Sequence, residues 1–413
     1  MRQFIQDFVT TCRNIFLTIW SLFVIYIAPH GTYHKGDYAF LVHPRGYWDI
    51  WKPFPFFRYF GERFTYWVSW FLPPILLSRI TGLKTLDGKP LTGLLIAAMN
   101  MPAHMKATLF GVQVGGIISR WRTVQDARLA EKLGSKHTGL GAYLPSLTNY
   151  GRVLTQKLKR SRITTGHSMT AYIIVQYVKM AAEIRKVKLP SVTVGIVGAA
   201  GSTGRACALA LARDGNIGRF LLIDLPHRQD KLEKEVAVPL RKNGHEVVTD
   251  CRLERLREAH IVITVTTAPG TIIKPEHLAE KAVVVDDSQP RNTSPDLLKQ
   301  RPDVTVVDVL AEVPGLDCHF DFDLVKERPD INFTCLAEVA VLAAHQVTGH
   351  WSVGYVGMDK VDGIAAMSSV VGKEDAGGQF HCVMPAPLCS FGQLVTNPIS
   401  TVARMLSVKE NVR

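Results

Sequence analysis

The chain has 413 residues, 47% of them apolar and 20% charged, with 32 Gly and 22 Pro. That balance is ordinary for a globular protein and excludes collagen-like, disordered and small disulfide-stapled classes; the length suits two or three domains with a sizeable core. The formal net charge of +12 is uneven: residues 1–190 hold 25 Lys and Arg against 8 Asp and Glu, or +17, and the rest carries −5.

A basic front half calls for an anionic partner. Nucleic acid, anionic lipid and an acidic carrier protein all qualify on charge alone. No recognised nucleic-acid motif appears, so nucleic acid is not the expected partner. The seven Cys are scattered without a C-x-x-C pair. Neither a disulfide framework nor a zinc ribbon is encoded, which points to a reducing cytoplasm. Cys318-His319 and His381-Cys382 fit no standard ligand spacing, and no metal is expected.

Ile15 to Ala28 is an apolar run of 14 residues broken only by Thr18 and Ser21. A spanning helix wants roughly 18–20. Extending the run back to Phe4 admits Gln6, Asp7, Thr10, Thr11, Arg13 and Asn14, which suits a helix lying in a membrane interface. Pro29-His30-Gly31 offers no small-x-small site for signal-peptide cleavage. Trp48 to Leu77 is crowded with aromatic residues among Lys52, Arg58 and Arg63, a mixture that suits the headgroup layer. The plainer alternative makes both stretches core helices or a subunit interface. The expected localisation is cytoplasmic, peripheral on the inner face of a membrane.

Residues 36–150 read as mixed α/β, with a strand at Leu94–Met99 and helix within 107–134, where Arg120, Arg122, Arg128 and Lys132 lie. A Gly-rich turn follows at Gly139. Tyr172 to Val187 is apolar at helical spacing and ends before Pro190. From Val192 the texture changes to six short apolar runs, at 192–198, 220–224, 246–248, 260–266, 282–287 and 304–309, separated by helical patterns. Such alternation predicts a doubly wound parallel sheet. A helix is expected from about Leu336 to Gln346, then a Gly-rich tail. The fold class is thus α/β: a central Rossmann-type sheet flanked by an N-terminal α/β substrate domain and a mainly helical C-terminal unit. The divisions fall at 1–35 (apolar segment), 36–185 (N-terminal α/β unit), 186–312 (dinucleotide type) and 313–413 (C-terminal unit).

Gly198-Ala-Ala-Gly201-Ser202-Thr203-Gly204 follows the first of those six strands and opens a helix of small residues, ACALALA. Glycine lets the backbone approach a pyrophosphate, and the helix N-terminus supplies N–H groups and partial positive charge. The next strand ends in Asp224, 20 residues after Gly204, at the distance where a ribose diol is held. Asp224 favours NAD, whereas His227, Arg228 and Lys231 just beyond it favour NADP, and the residues alone leave the choice open. The loops after the fourth and fifth strands, with Thr266, Thr267, Ala268 and Asp287–Asn292, are expected near the nicotinamide because ligands sit at the carboxyl ends of the strands.

Cys335, in Asn332-Phe-Thr-Cys335-Leu-Ala-Glu338, opens the predicted C-terminal helix. A Cys there feels the macrodipole and nearby N–H groups, which stabilise thiolate and lower the pKa. A thiolate beside a hydride donor can take an acyl group from a thioester and release it as aldehyde. The plainer alternative is a small buried Cys.

Together these segments resemble the aldehyde-forming long-chain acyl-(acyl-carrier-protein) reductases best known from cyanobacteria. Arg162-Ile-Thr-Thr-Gly-His-Ser-Met-Thr-Ala-Tyr172 is similar to that family's R-F-T-T-G-N-x-x-T-A-Y segment, the Gly-rich loop follows at similar spacing, and Phe333-Thr-Cys335-Leu-Ala-Glu338 is similar to the segment around its acylated cysteine. Gly139-Leu-Gly-Ala142 resembles the turn ahead of the T-T-G segment, so the likeness spans roughly residues 135–350. It implies Cys335 as acyl acceptor, NADPH as cofactor (with NAD(H) not excluded), a fatty acyl thioester on acyl carrier protein or coenzyme A as substrate, and a fatty aldehyde product. Thr164, Thr165, Gly166 and Tyr172 are then expected to line the nicotinamide or the acyl carbonyl, and N–H groups at the start of the Cys335 helix to hold the oxyanion.

Three departures stand out: a longer N-terminal portion, Asp224 where the family has basic residues, and His167 in place of Asn. DDSQPRN also resembles glutamyl-tRNA reductase and shikimate dehydrogenase relatives. Two rivals follow: a shikimate-dehydrogenase-like oxidoreductase without covalent catalysis, and a nucleotide-binding membrane scaffold without turnover. Chain length, carrier and oligomeric state are not encoded.

Overall fold

The computed structural model describes residues 1–27, 35–109, 112–214, 216–268, 270–318, 328–370 and 383–386, with only the backbone described for 20–27 and 109. His319, His381, Cys382 and the Gly-rich tail lie outside the described residues.

The N-terminal segment forms one helix, α1 (Arg2–Ile27). Asp7, Thr11 and Asn14 of this helix face the protein. Asp7 accepts hydrogen bonds from Gln3 Nε2 (2.9 Å) and the Tyr59 hydroxyl (2.8 Å) and pairs with Arg58. Thr11 Oγ1 accepts from the Phe56 N–H (3.0 Å), and Asn14 Nδ2 donates to the Pro53 carbonyl (2.6 Å). Asp7 and Thr11 are buried, while Phe4, Phe8, Val9, Phe16, Leu17 and Ile19 are exposed. This inverts the usual surface helix, whose apolar stripe turns to the core. Among the described residues no helix is long and apolar enough to cross a membrane.

Two six-stranded sheets carry the rest. The first contains β1 (Tyr38–Val42), β2 (Ile75–Thr81), β3 (Gly93–Ala97), β4 (His137–Leu140) and β5 (Arg162–Thr164) in the order β2-β3-β1-β4-β5. A short strand from later in the chain, Asp317–Cys318, is antiparallel to β2 at its edge. β3, β1, β4 and β5 run parallel. Successive side chains point to opposite faces. Tyr38, Phe40, Val42, Leu95 and Ala97 therefore join one core, and Ala39, Leu41, Leu94 and Ile96 join another beneath helix α3 (Gly115–Lys132), which follows α2 (Gly61–Phe71) in the chain.

The second sheet contains β6 (Thr193–Val197), β7 (Arg219–Ile223), β8 (Glu246–Asp250), β9 (Ile261–Thr264), β10 (Val283–Asp286) and β11 (Thr305–Asp308), all parallel, in the order β8-β7-β6-β9-β10-β11. Counted within this sheet, that is the 3-2-1-4-5-6 order of dinucleotide-binding folds. All six predicted runs are strands, and most are apolar throughout because helices cover both faces.

Helix α4 (His167–Ile184) lies between the sheets and packs on α5 (Ser202–Asp214), α6 (Thr334–Ala344) and α7 (Met358–Ser368). α6 also lies on β4, where a Cβ on Gly139 would sit 2.9 Å from Val339. The C-terminal segment carries α6 and α7, and Ile331–Phe333 and Met384–Pro385 flank Leu310–Glu312 in a small antiparallel sheet.

Candidate functional site

The carboxyl ends of the two sheets face a shared cavity of about 650 Å³. Val42, His43, Gly141, Ala142 and Tyr143 line it from the first sheet, and Val197, Gly198, Ile223, Asp224, Val265, Thr266 and Asp287 from the second. The start of α5 and the start of α6, with Cys335, complete it.

Gly198 has φ +88°, and a Cβ there would lie 2.7 Å from the Val265 carbonyl oxygen. Only glycine suits that turn. Gly201, Ser202 and Thr203 line the cavity beside it, where α5 begins. Gly204 does not line the cavity: a Cβ there would lie 2.3 Å from the Gly198 oxygen, so this glycine lets α5 close on the loop. A bare backbone turn, a helix N-terminus of 13 residues and a cavity of this volume fit a dinucleotide.

Asp224 and Arg228 both line the cavity. The Asp224 carboxylate is committed internally: Oδ2 accepts from the Ala200 N–H and Oδ1 from the Leu225 N–H, each 2.8 Å, and Arg228 stands 3.6 Å from Oδ1. Asp224 thus pins the glycine loop to the end of β7, a use the sequence did not disclose. Thr266 and Ala268 line the cavity, with the Thr266 hydroxyl donating to Asn292 Oδ1 (2.7 Å).

Cys335 is half-buried and lines the same cavity. Its acidity runs opposite to expectation. Burial pushes the thiol up, the Asp287 carboxyl adds to this, and the N–H groups of Leu336 and Cys335 pull weakly the other way. The helix terminus acts as reasoned but is outweighed by desolvation. Burial, helped by Asp286, also holds the Asp287 carboxyl well above the usual range.

The T-T-G segment is placed differently from expectation. Only Thr165 of its four expected residues lines the cavity. Thr164 Oγ1 donates to Glu338 Oε1, which also accepts from the Gly166 N–H (3.2 Å); Glu338 Oε2 accepts from Ser168 Oγ (2.6 Å) and the Met169 N–H (2.7 Å). Glu338, fully buried, therefore caps α4 from another helix, in keeping with a negative group at a helix N-terminus. Gly166 (φ +83°) backs directly onto Cys335. Tyr172 is part-buried against the core and away from the cavity.

His167 was passed over in the sequence, yet it lines the cavity with Cys335. Its Nδ1 lies 3.0 Å from Ser202 Oγ, whose own proton goes to the Gly354 carbonyl (3.0 Å). His167 must then donate through Nδ1–H, and burial holds its imidazole neutral with a pKa of about 4. His43 is similarly neutral, at about 4, because it is buried; its Nδ1 bonds the Pro44 carbonyl and its Nε2 accepts from the Tyr143 N–H (3.0 Å). Among the described residues no group of three or more His, Cys, Asp or Glu could hold a metal.

No family model matches the chain. It is 23% identical over 331 residues to the long-chain acyl-[acyl-carrier-protein] reductase of Synechococcus elongatus, covering 78% of this chain and 92% of that protein. The chain is a distant relative of that reductase. Among solved structures, it is 14% identical to the Entamoeba histolytica malic enzyme (TM-score 0.33; 46% of this chain, 41% of the other). It is 18% identical to the Thermococcus litoralis Δ1-pyrroline-2-carboxylate reductase solved with NADH and L-proline (TM-score 0.23; 54% and 46%). The chain spans less than half the length of each of these two structures.

Proposed function

We propose that this protein is an oxidoreductase that reduces a long-chain acyl thioester to a fatty aldehyde through an acyl-enzyme on Cys335. The observation that carries this reading is the single cavity lined by both Cys335 and the glycine loop. The curated relative, an acyl-(acyl-carrier-protein) reductase by name, supplies the substrate class.

The Cys335 sulfur bonds to the thioester carbonyl carbon, the carrier's carbon–sulfur bond breaks, and the thiol proton leaves with the carrier thiol. N–H groups at the start of α6 stabilise the oxyanion. A bound nicotinamide supplies the hydride that, with a proton, releases aldehyde and regenerates the thiol. Gly198, Gly201, Ser202 and Thr203 would hold its pyrophosphate, and Thr266 and Ala268, which line the same cavity, would contact it. NADPH is the preferred form: Asp224 is tied to the glycine loop, which leaves the partly exposed Arg228 to meet a 2′-phosphate.

Residues 36–185 form the acyl and carrier unit, 186–312 the cofactor unit, and 313–413 the unit that supplies the nucleophile. The basic front half suits acidic acyl carrier protein. Residues 1–35 attach the protein to the cytoplasmic face of a membrane: the inverted α1 and the exposed Phe60, Trp67, Phe71 and Trp121 offer lipid an apolar, aromatic face.

The raised Cys335 thiol favours one rival, a shikimate-dehydrogenase-like oxidoreductase that interconverts a small polar alcohol and its ketone without covalent catalysis. Oxidation of NADPH by palmitoyl-acyl carrier protein and palmitoyl-coenzyme A, followed with aldehyde detection, separates the two. Aldehyde formation lost in Cys335→Ala with cofactor binding retained is the expected result; turnover that survives the substitution overturns the reading.

A further inference from the structure

We propose that the alkyl tail of the thioester lodges in a second cavity, between α1 and the carboxyl ends of β1 and β3; this rests on the acyl-thioester reading above. The cavity measures about 330 Å³, and Leu17, Phe54, Ala97 and Met99 are among its walls. Val42 and His43 belong to both cavities, so the second adjoins the one that holds Cys335.

Chemistry divides the two spaces. The larger carries the glycine loop, Asp224, Arg228 and Asp287, a polar setting suited to a dinucleotide and a reacting carbonyl. The smaller carries aliphatic and aromatic walls whose polar neighbours are already served. Asn14 Nδ2 is bonded to the Pro53 carbonyl, the Thr18 hydroxyl donates to the Asn14 carbonyl (2.8 Å), and Asp49 is paired with Arg45 (2.9 Å). Lys52 also lines the cavity and is itself engaged by a neighbour. An alkyl chain entering there strands none of these groups, which is the condition for apolar binding. The shared His43 meets the same condition, since both ring nitrogens have backbone partners. Leu17, which lines the cavity from α1, is also on the helix face that is open to the outside, so α1 is at once a wall of the tail pocket and the candidate lipid contact.

The test uses the full chain and palmitoyl-coenzyme A bearing a diazirine at the tail terminus, photolysed and mapped by peptide mass spectrometry. Crosslinks on peptides carrying residues 14–18, 50–54 or 97–99 are expected; crosslinks confined elsewhere overturn the pocket. The same spectra report acylation of Cys335. Crosslinks in the pocket without that adduct uphold the tail site and remove the nucleophile, and the reverse removes the tail site alone. A second measurement needs no probe. Each methylene lodged in an apolar site is worth roughly a fourfold gain. Leu17→Trp, at a half-exposed position that tolerates bulk, is expected to lower kcat/KM for palmitoyl relative to butyryl thioester by about 16-fold, the worth of two displaced methylenes. An unchanged ratio overturns the proposal.

Discussion

A Cβ placed on Gly166 would lie 2.2 Å from the Cβ of Cys335 and 2.4 Å from its Cα. The T-T-G turn and the start of α6 thus touch through a position where any side chain collides with the backbone of the candidate nucleophile. Gly166 also has φ +83°, a conformation that other residues adopt only with strain. Gly166→Ala is expected to cost about 3 kcal/mol of stability and to remove most aldehyde formation. Urea denaturation and a turnover assay at low temperature, where the variant stays folded, check the two separately.

Glu338 holds four donors: Thr164 Oγ1, Ser168 Oγ and the N–H groups of Gly166 and Met169. Glu338→Ala strands them in the interior, and a loss of about 3 kcal/mol or more is expected. Glu338→Gln keeps one acceptor oxygen and is expected to lose less. Denaturant midpoints of the three proteins give the order.

The Cys335 thiol is raised by burial and by Asp287, so below its pKa the thiolate fraction grows about tenfold for each pH unit. Alkylation of Cys335 by iodoacetamide is expected to accelerate steadily from pH 7 to 9 without levelling. Quantifying the modified peptide distinguishes it from the exposed Cys12 and Cys251. A plateau near neutrality would mean that the helix terminus governs the sulfur after all.

His167 has a folded pKa of about 4, lowered by burial from an ordinary 6.5. Its neutral form therefore adds stability that is fully present above pH 6.5 and is lost as pH falls toward 4, because the unfolded chain takes up the proton first. His167→Asn removes this linkage. Whatever stability gap separates the variant from the parent at pH 7 is expected to shift in the variant's favour by about 2 kcal/mol at pH 5. Paired urea titrations at the two pH values measure it.

Much of the architecture was legible because its signals are local. β6, β9 and β10 read as strands since both of their faces are buried, and the strand, Gly198 turn and small-residue α5 announce a phosphate cradle in consecutive residues. Features built by distant pairs were not legible. α4 begins at His167, earlier than the periodicity suggested, because its cap is Glu338 of another helix and no side chain of its own marks the start. The family resemblance implies that Thr164 and Gly166 line the nicotinamide or the acyl carbonyl, but the contacts that define them come from Glu338 of α6. The polar residues between Phe4 and Asn14 read as those of a membrane-interface helix; only the docked segment at 53–60 reveals that Asp7, Thr11 and Asn14 face inward. A helix-terminus argument for Cys335 is likewise local, and it could not include desolvation or the carboxyl of Asp287.

Intact-protein mass spectrometry after incubation with palmitoyl thioester, with and without NADPH, tests the acyl-enzyme most directly. The account expects one palmitoyl adduct that maps to Cys335, is absent from Cys335→Ala, and disappears with release of aldehyde when NADPH is added. Aldehyde formed with no adduct at any time, or an adduct that NADPH leaves untouched, would contradict it.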